Sequence, residues 1–408
     1  MKKYFNSFHW NQKINILIMV LFLIVFILFM GMIYITNKED VILKKDLTCE
    51  FRKEVYVMDF VFKLNGEVVD NYQIDTSEVG KKKVSLSYRN RYGFVVRKSF
   101  EIEVKDVTAP IVVVDNPYIV EKDSLTDIMD NIFCADDYDD KVTCNIVGKY
   151  DLSKVGKYDL KIIAIDQSEN ITTREFSLHV IEEQKRTLSN HSQNLTYTNF
   201  EDIYKKYKKE NTRIGLDISK WQQEVDFSRL KEQGVSFVML KVGGQKKKGG
   251  EISVDPNFYE NIDAALRNGI EVGIYFYSYA TSEKEAQKQA RWVLQKVKDY
   301  DITLPIAFDW ENWNTFTSFH ISFHTLNKIA NSFLQEVEKN GYQSMLYSSK
   351  YYLDTIWYQE NYTTWLAYYT KNNDYDKDYV MWQVCSDGKI DGIDGYVDID
   401  VMYIDKFE

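Results

Sequence analysis

The chain has 408 residues, 45% of them hydrophobic, and a formal net charge of −10. That length holds two to four domains, and an acidic chain with no basic stripe excludes a general nucleic-acid binder. Four cysteines (Cys49, Cys134, Cys144, Cys385) are too few for a disulfide scaffold.

Residues 1–13 carry Lys2, Lys3 and Lys13 and no acidic residue. Ile14 to Ile35 is then apolar apart from Asn15 and Gly31. As a helix it would be about 33 Å long, enough to cross a bilayer, so a transmembrane helix is expected over 14–36. Basic residues before it and the mixed charges Lys38, Glu39 and Asp40 after it place the N-terminus in the cytoplasm and the bulk of the chain outside. The competing reading is a cleaved signal peptide, but no small-x-small cleavage site follows.

Residues 41–183 contain an internal repeat. Asp75-Thr-Ser-Glu-Val-Gly-Lys81 matches Asp151-Leu-Ser-Lys-Val-Gly-Lys157, and the same offset pairs Phe100 with Phe176 and Val104 with Val180. Alternating apolar residues (Val84, Leu86, Tyr88; Leu160, Ile162, Ala164) give each copy the strand period. Two small all-β sandwiches are therefore expected, at 41–106 and 107–183. The second copy resembles the bacterial Ig-like domains of surface proteins through Asp106-Val-Thr-Ala-Pro110, Val155-Gly-Lys-Tyr158 and Ala164-Ile-Asp166 with Glu169-Asn170. That resemblance implies a stalk or spacer. Asp136, Asp137, Asp139 and Asp140 share one loop, which reads as solvated or as a calcium ligand set. Cys134 and Cys144 flank it, and an outside location permits a disulfide that the sequence does not fix. Residues 184–212 are polar and read as a linker, with a short helix near 201–209.

From Arg213 strands alternate with helices. Strands are expected at 213–219, 236–243, 271–279, 305–311 and 343–349, with helices at 257–268, 283–298 and 322–340. Three strands with little helix follow, at 363–369, 380–386 and 397–403. The fold class is α/β: an irregular (β/α)-type barrel of about five β/α units and then three strands, spanning 213–408. Reactive groups of such barrels gather at the C-terminal ends of strands.

One strand end stands out. Leu304-Pro-Ile-Ala-Phe-Asp309-Trp-Glu311 is an apolar run that stops at two carboxylates. On a strand, Asp309 and Glu311 would share a face, their Cα atoms about 6.5–7 Å apart, with Trp310 opposite. Two carboxyls so placed can differ in protonation, as glycosidic-bond cleavage requires. In an acidic chain the triplet alone is weak; its apolar lead-in strengthens it. Asp217 and Asp398 fall at other strand ends. Tyr275, Tyr277, Tyr347, Trp365, Tyr369, Trp382 and Gln383 accompany them as candidate substrate-binding residues, with core packing the competing role for each aromatic ring. His320 and His324 lack the intervening Glu of a zinc protease, so no metal site is expected there.

Residues 213–407 resemble the glycoside hydrolase family 25 lysozymes (N-acetylmuramidases). The resemblance rests on Asp217-Ile-Ser219-Lys-Trp221-Gln222, Leu304-Pro305 before Asp309-Trp-Glu311, Trp365-Leu-Ala-Tyr-Tyr369, Trp382-Gln383 and Gly392-Ile-Asp-Gly-Tyr-Val-Asp398. It implies hydrolysis of the β-1,4 bond from N-acetylmuramic acid to N-acetylglucosamine in peptidoglycan, with no cofactor. Glu311 would be the general acid. Asp309 would stabilise charge, orient the 2-acetamido group or act directly; Asp217 and Asp398 would position substrate or water. Gln223 stands where the family commonly has Gly, and Tyr275-Phe-Tyr-Ser278 where it often has His-Phe. The alternatives are a non-catalytic peptidoglycan-binding envelope protein and an adhesin acting through its Ig-like pair; protein partners are not legible.

Overall fold

The structure, a computed structural model, describes residues 2–182, 197–359 and 362–406. Residues 1–107 and 108–408 form two compact units.

The first unit opens with the helix Lys2–Asp40. Its segment Ile14–Met32, of mean hydropathy 3.0, is long and apolar enough to cross a membrane, a test that an N-terminal signal sequence also passes. A four-stranded sheet follows, in the order Thr48–Glu50, Val95–Lys105, Gly80–Asn90, Gly66–Asp70. Alternation drives its one-sided burial: Val84, Leu86 and Tyr88 enter the core with Phe100 and Ile102, while Lys81 and Lys83 point to water.

The second unit begins with the same design. Tyr118–Glu121, Ile171–Ile181, Gly156–Ile165 and Thr143–Val147 form a sheet of matching order. The repeat is kept in the hydrogen bonding: Gly80 lies opposite Val104 and Gly156 opposite Val180. Asp75 and Asp151 each accept from the backbone N–H two residues on, closing equivalent turns. Cys134 and Cys144 form a disulfide. The acidic loop between them is not merely solvated. Asp136 accepts from the N–H groups of Tyr138 and Asp139, and Asp140 caps a distant helix at Ser322 and Thr325.

The expected linker needs a correction. Residues 183–196 lie outside the described residues, but 197–212 belong to the barrel. Thr198–Asn199 pairs in parallel with Gly388–Lys389, and the helix Phe200–Tyr207 buries Phe200 and Ile203. Polar composition concealed two anchoring side chains.

The barrel strands are β1 (Thr212–Ile218), β2 (Phe237–Gly244), β3 (Glu271–Tyr277), β4 (Ile306–Asp309), β5 (Ser344–Ser349), β6 (Thr364–Ala367), β7 (Met381–Lys389) and β8 (Val397–Tyr403). β1 to β7 run parallel in sequence order; β8 is antiparallel to both β7 and β1 and joins them. Helices Phe258–Arg267, Glu283–Val297 and Phe323–Lys339 cover β2 to β5, whereas β6 to β8 follow one another without a long helix.

Two apolar layers hold this sheet. Outward-facing residues pack under the helices. Inward-facing Phe237, Met239, Tyr275, Ala307, Met345, Trp365, Met381 and Met402 fill the interior. Large rings fit because Gly215 and Gly273 face them: a Cβ on Gly215 would lie 2.5 Å from the Phe237 ring, and one on Gly273 2.4 Å from the Met239 sulfur. This plug closes the barrel below its C-terminal mouth. Gly215→Ala is expected to cost about 1–3 kcal/mol through overpacking, measured as a lower urea midpoint. An unchanged midpoint would mean that Phe237 can move aside.

Candidate active site

The acidic residues converge on the barrel mouth. Asp217 is the penultimate residue of β1 and Asp309 the last of β4; β8 carries Asp398 directly across from Asp217. β4 is shorter than expected: it stops at Asp309, so Glu311 lies just beyond the strand. The expected separation of faces persists all the same. Trp310 is fully buried in the outer core, where its indole N–H donates to Thr315 Oγ1 at 2.9 Å, while the Glu311 and Asp309 side chains hydrogen-bond each other. Glu311 itself opens to solvent.

Gln383, at the centre, is completely buried. Its Nε2 donates to Asp217 Oδ2 at 3.3 Å and to Asp398 Oδ2 at 3.4 Å. Its Oε1 accepts from the Tyr347 and Tyr369 hydroxyls at 2.9 and 2.8 Å. The amide therefore ties two carboxylates to two tyrosines. Tyr275 lies beside Asp217.

Two of the expected substrate contacts are instead structural. Trp365 is fully buried inside the barrel, edge-on to Tyr275 and Tyr347, and its N–H donates to Asp400 Oδ1 at 2.8 Å. Trp382 is buried in the outer core; its N–H donates to the Tyr368 carbonyl and its ring meets Tyr207 edge-on. Core packing won because Trp365 lies inside the barrel below the mouth and Trp382 on the outer face of the sheet. Tyr275 is also buried, facing the acids. Tyr347 and Tyr369 do reach open space: with Glu311, Lys350, Tyr351, Tyr352 and Tyr368 they line a cleft of about 590 Å³. Another cleft, of about 530 Å³ around Asp226, Arg267 and Asp391, contains none of the four carboxylates.

Sequence reading missed Asp400 and Lys241. Asp400 shares the inward face of β8 with Asp398, a period-two signal that was legible in Val-Asp-Ile-Asp. Lys241 interrupts the apolar run Phe237–Val242, and a lone cation there was the available sign. Its ammonium lies 4.7 Å from the Tyr277 ring and 5.6 Å from the Tyr275 ring. Its charge draws Asp217, Asp309 and Glu311 downward.

That pull does not prevail. Burial pushes Asp309 well above the usual carboxylate range, and the adjacent Glu311 charge pushes it further. Desolvation of its inner side also raises Glu311, whose outer side meets solvent. The two carboxyls thus retain a proton between them where free side chains would have lost both. Burial, then the Asp398 charge, raises Asp217; burial foremost raises Asp400. Asp217 Oδ1, Asp309 Oδ1 and Asp400 Oδ2 are buried without a hydrogen-bond partner among the described residues. Such atoms at a groove are disposed to engage a polar ligand.

The family Glycosyl hydrolases family 25 matches residues 216–393. The Escherichia coli K12 protein YegX is 31% identical over 193 residues, which span 46% of this chain and 68% of YegX. This chain belongs to glycosyl hydrolase family 25. It is a glycoside hydrolase. The autolytic lysozyme of Clostridium acetobutylicum is 24% identical over 193 residues, 46% of this chain and 54% of that protein. Among solved structures, the modular autolysin LytC of Streptococcus pneumoniae, in complex with a synthetic peptidoglycan ligand, aligns with 24% identity and a TM-score of 0.43, covering 60% of this chain and 56% of LytC.

The family 25 departure at Gln223 has a backbone consequence. Gln223 ends the turn Lys220–Gln222 at φ 53 and ψ −118, a region that favours glycine. Gln223→Gly is expected to relieve about 1 kcal/mol and raise Tm by about 2–4 °C in a calorimetric scan; a lower Tm would contradict the strain.

Asp398 gives a pH signature. Burial, then the Glu311 charge, pushes its pKa up to about 7. In the unfolded chain it titrates near ~4. The folded state therefore binds the extra proton between those values, and stability falls as pH rises through that window. Tm should fall more steeply from pH 4 to 7 in the parent than in Asp398→Asn. Parallel curves would contradict the assignment.

Proposed function

We propose that this enzyme is a muramidase that hydrolyses the β-1,4 bond between N-acetylmuramic acid and N-acetylglucosamine in peptidoglycan. The observation that carries this reading is the buried Asp309 beside the more open Glu311 at the mouth of a tyrosine-lined cleft, in a family 25 chain. Glycan strands suit such a cleft: aromatic rings stack on pyranose faces, and tyrosine hydroxyls bind sugar hydroxyls.

Glu311, the more open member of the pair, is the general acid. Its raised pKa keeps it protonated beyond the ordinary glutamate range, and it gives that proton to the glycosidic oxygen as the C1–O bond breaks. With the pair's single proton on Glu311, Asp309 is ionised, and it faces the positive charge that develops at C1 or holds the 2-acetamido group against it. Water then supplies the hydroxyl at C1, and its proton returns to the carboxyl pair. Asp217 and Asp398, fixed by Gln383, form the floor that positions substrate or water. Tyr277, Tyr347 and Tyr369 line the approach, and Tyr275 backs the acids from beneath. No metal or organic cofactor enters this chemistry.

The N-terminal helix suits a single membrane crossing with the N-terminus in the cytoplasm. The two β modules, read as Ig-like, and the barrel would then lie in the cell wall. This places the hydrolase beside its substrate and restrains its range.

Glu311→Gln preserves shape and removes the acid. Turnover of purified peptidoglycan should fall by about two to four orders of magnitude. Near-normal turnover would remove Glu311 from the mechanism. Asp309→Asn should also cripple turnover while the fold survives.

A further inference from the structure

The β module at 108–182 does more than lengthen the chain. Its segment 133–140 grips both ends of the stretch that follows Asp309. At the near end the Phe133 ring stacks on Trp313, centroids 6.2 Å apart and planes 21° from parallel. Trp313 meets Tyr352 edge-on at 5.4 Å, and the Tyr352 hydroxyl donates to the Glu311 carbonyl at 3.3 Å. Tyr352 also packs on Trp310, the residue between the two carboxylates. Three rings thus link the module to the backbone of Glu311.

At the far end the module caps the helix Phe323–Lys339. The carbonyls of Asp136 and Asp137 accept from the N–H groups of Phe323 and His324, at 2.9 and 2.8 Å. Asp140 Oδ1 accepts from Ser322 N, Ser322 Oγ and Thr325 Oγ1, each at 2.8 Å. These donors belong to a helix start, which has no intrahelical acceptors of its own. Tyr138 stacks on His324 at 5.2 Å. Ala135 is buried in the outer core of the barrel. The Cys134–Cys144 disulfide closes the loop that carries Asp136 to Asp140.

From this arrangement we infer that the module at 108–182 is part of the catalytic unit, with Phe133 and Asp140 as positioning residues that hold the 310–322 segment, and through it Glu311, in register with Asp309. The physical need is plain. Glu311 lies beyond the end of β4, so no strand pairing fixes its backbone, and the chain from Trp310 to Ser322, which carries the short helix Asn314–Phe319, meets the neighbours named above chiefly through aromatic rings and the capped start of the next helix. A displacement of about 1 Å in a catalytic group can cost 10²-fold in rate.

The test rests on the muramidase reading for its kinetic arm. In the full chain, Phe133→Ala and Asp140→Ala should each lower kcat by about 10- to 100-fold with KM changed less than about threefold. Phe133→Tyr, which keeps the stacked ring, should restore kcat. Backbone amides of 310–322 should exchange faster in both alanine variants than in the parent, at equal protection of β1 to β3. Parent-like kcat and exchange in both variants would reduce the module to a spacer. Loss of kcat with global loss of protection, unrescued by tyrosine, would overturn positioning in favour of a plain folding role. A parent with no turnover on peptidoglycan would sink the muramidase reading alone; the exchange data would then decide the clamp, faster exchange confined to 310–322 supporting it and parent-like exchange overturning it.

Discussion

Everything at the mouth of this barrel follows from crowding carboxylic acids against an apolar plug. Asp217, Asp309, Asp398 and Asp400 sit above Met239, Met345, Met381 and Trp365, and Lys241 is the cation whose charge reaches three of the site's acids. Burying like charges side by side is unfavourable, and the molecule answers by retaining protons. A protonated carboxyl at neutral pH is the reagent that acid-catalysed glycoside cleavage needs. In the proposed mechanism, the arrangement that weakens the fold as pH rises also arms the site.

The plug explains the geometry as much as the chemistry. Gly215 and Gly273 admit the Phe237 ring and the Met239 side chain, which close the barrel from below. Trp365 spans the interior and fixes Asp400 through its indole N–H. Gln383 performs the same service one layer higher, reading two carboxylates with its amide nitrogen and two tyrosines with its oxygen. Asp217, Asp398 and Asp400 are thus each held by a buried neighbour, Gln383 or Trp365.

Much of this was legible in the sequence, for identifiable reasons. The strands and long helices of the barrel came from periodicity, and their observed limits differ by a residue or two at most ends. The repeat at 41–183 was visible because turn residues recur with the strands, and it reappears as equal register in two sheets. The carboxylates were found because apolar runs that end in acids mark strand ends at a barrel mouth. The misreadings have physical causes as well. Trp365 and Trp382 were grouped with the substrate contacts because a sequence cannot say on which side of a sheet, or how deep, a ring lies. Residues 197–212 were read as linker because two apolar anchors in a polar stretch leave little signal. The acidic loop Asp136–Asp140 looked solvated because its partners, Ser322 to Thr325, lie far along the chain; only the fold brings a helix start to its carbonyls and carboxylate.

Which bond is cleaved decides whether this hydrolase is a muramidase. The most direct measurement is mass spectrometry of the new reducing ends released when the full chain digests purified peptidoglycan. Muramic-acid reducing ends are expected. Glucosamine reducing ends would keep the acid chemistry but move the cleaved bond, contradicting the muramidase assignment. Folded protein that binds the wall and releases no ends would contradict the enzyme itself.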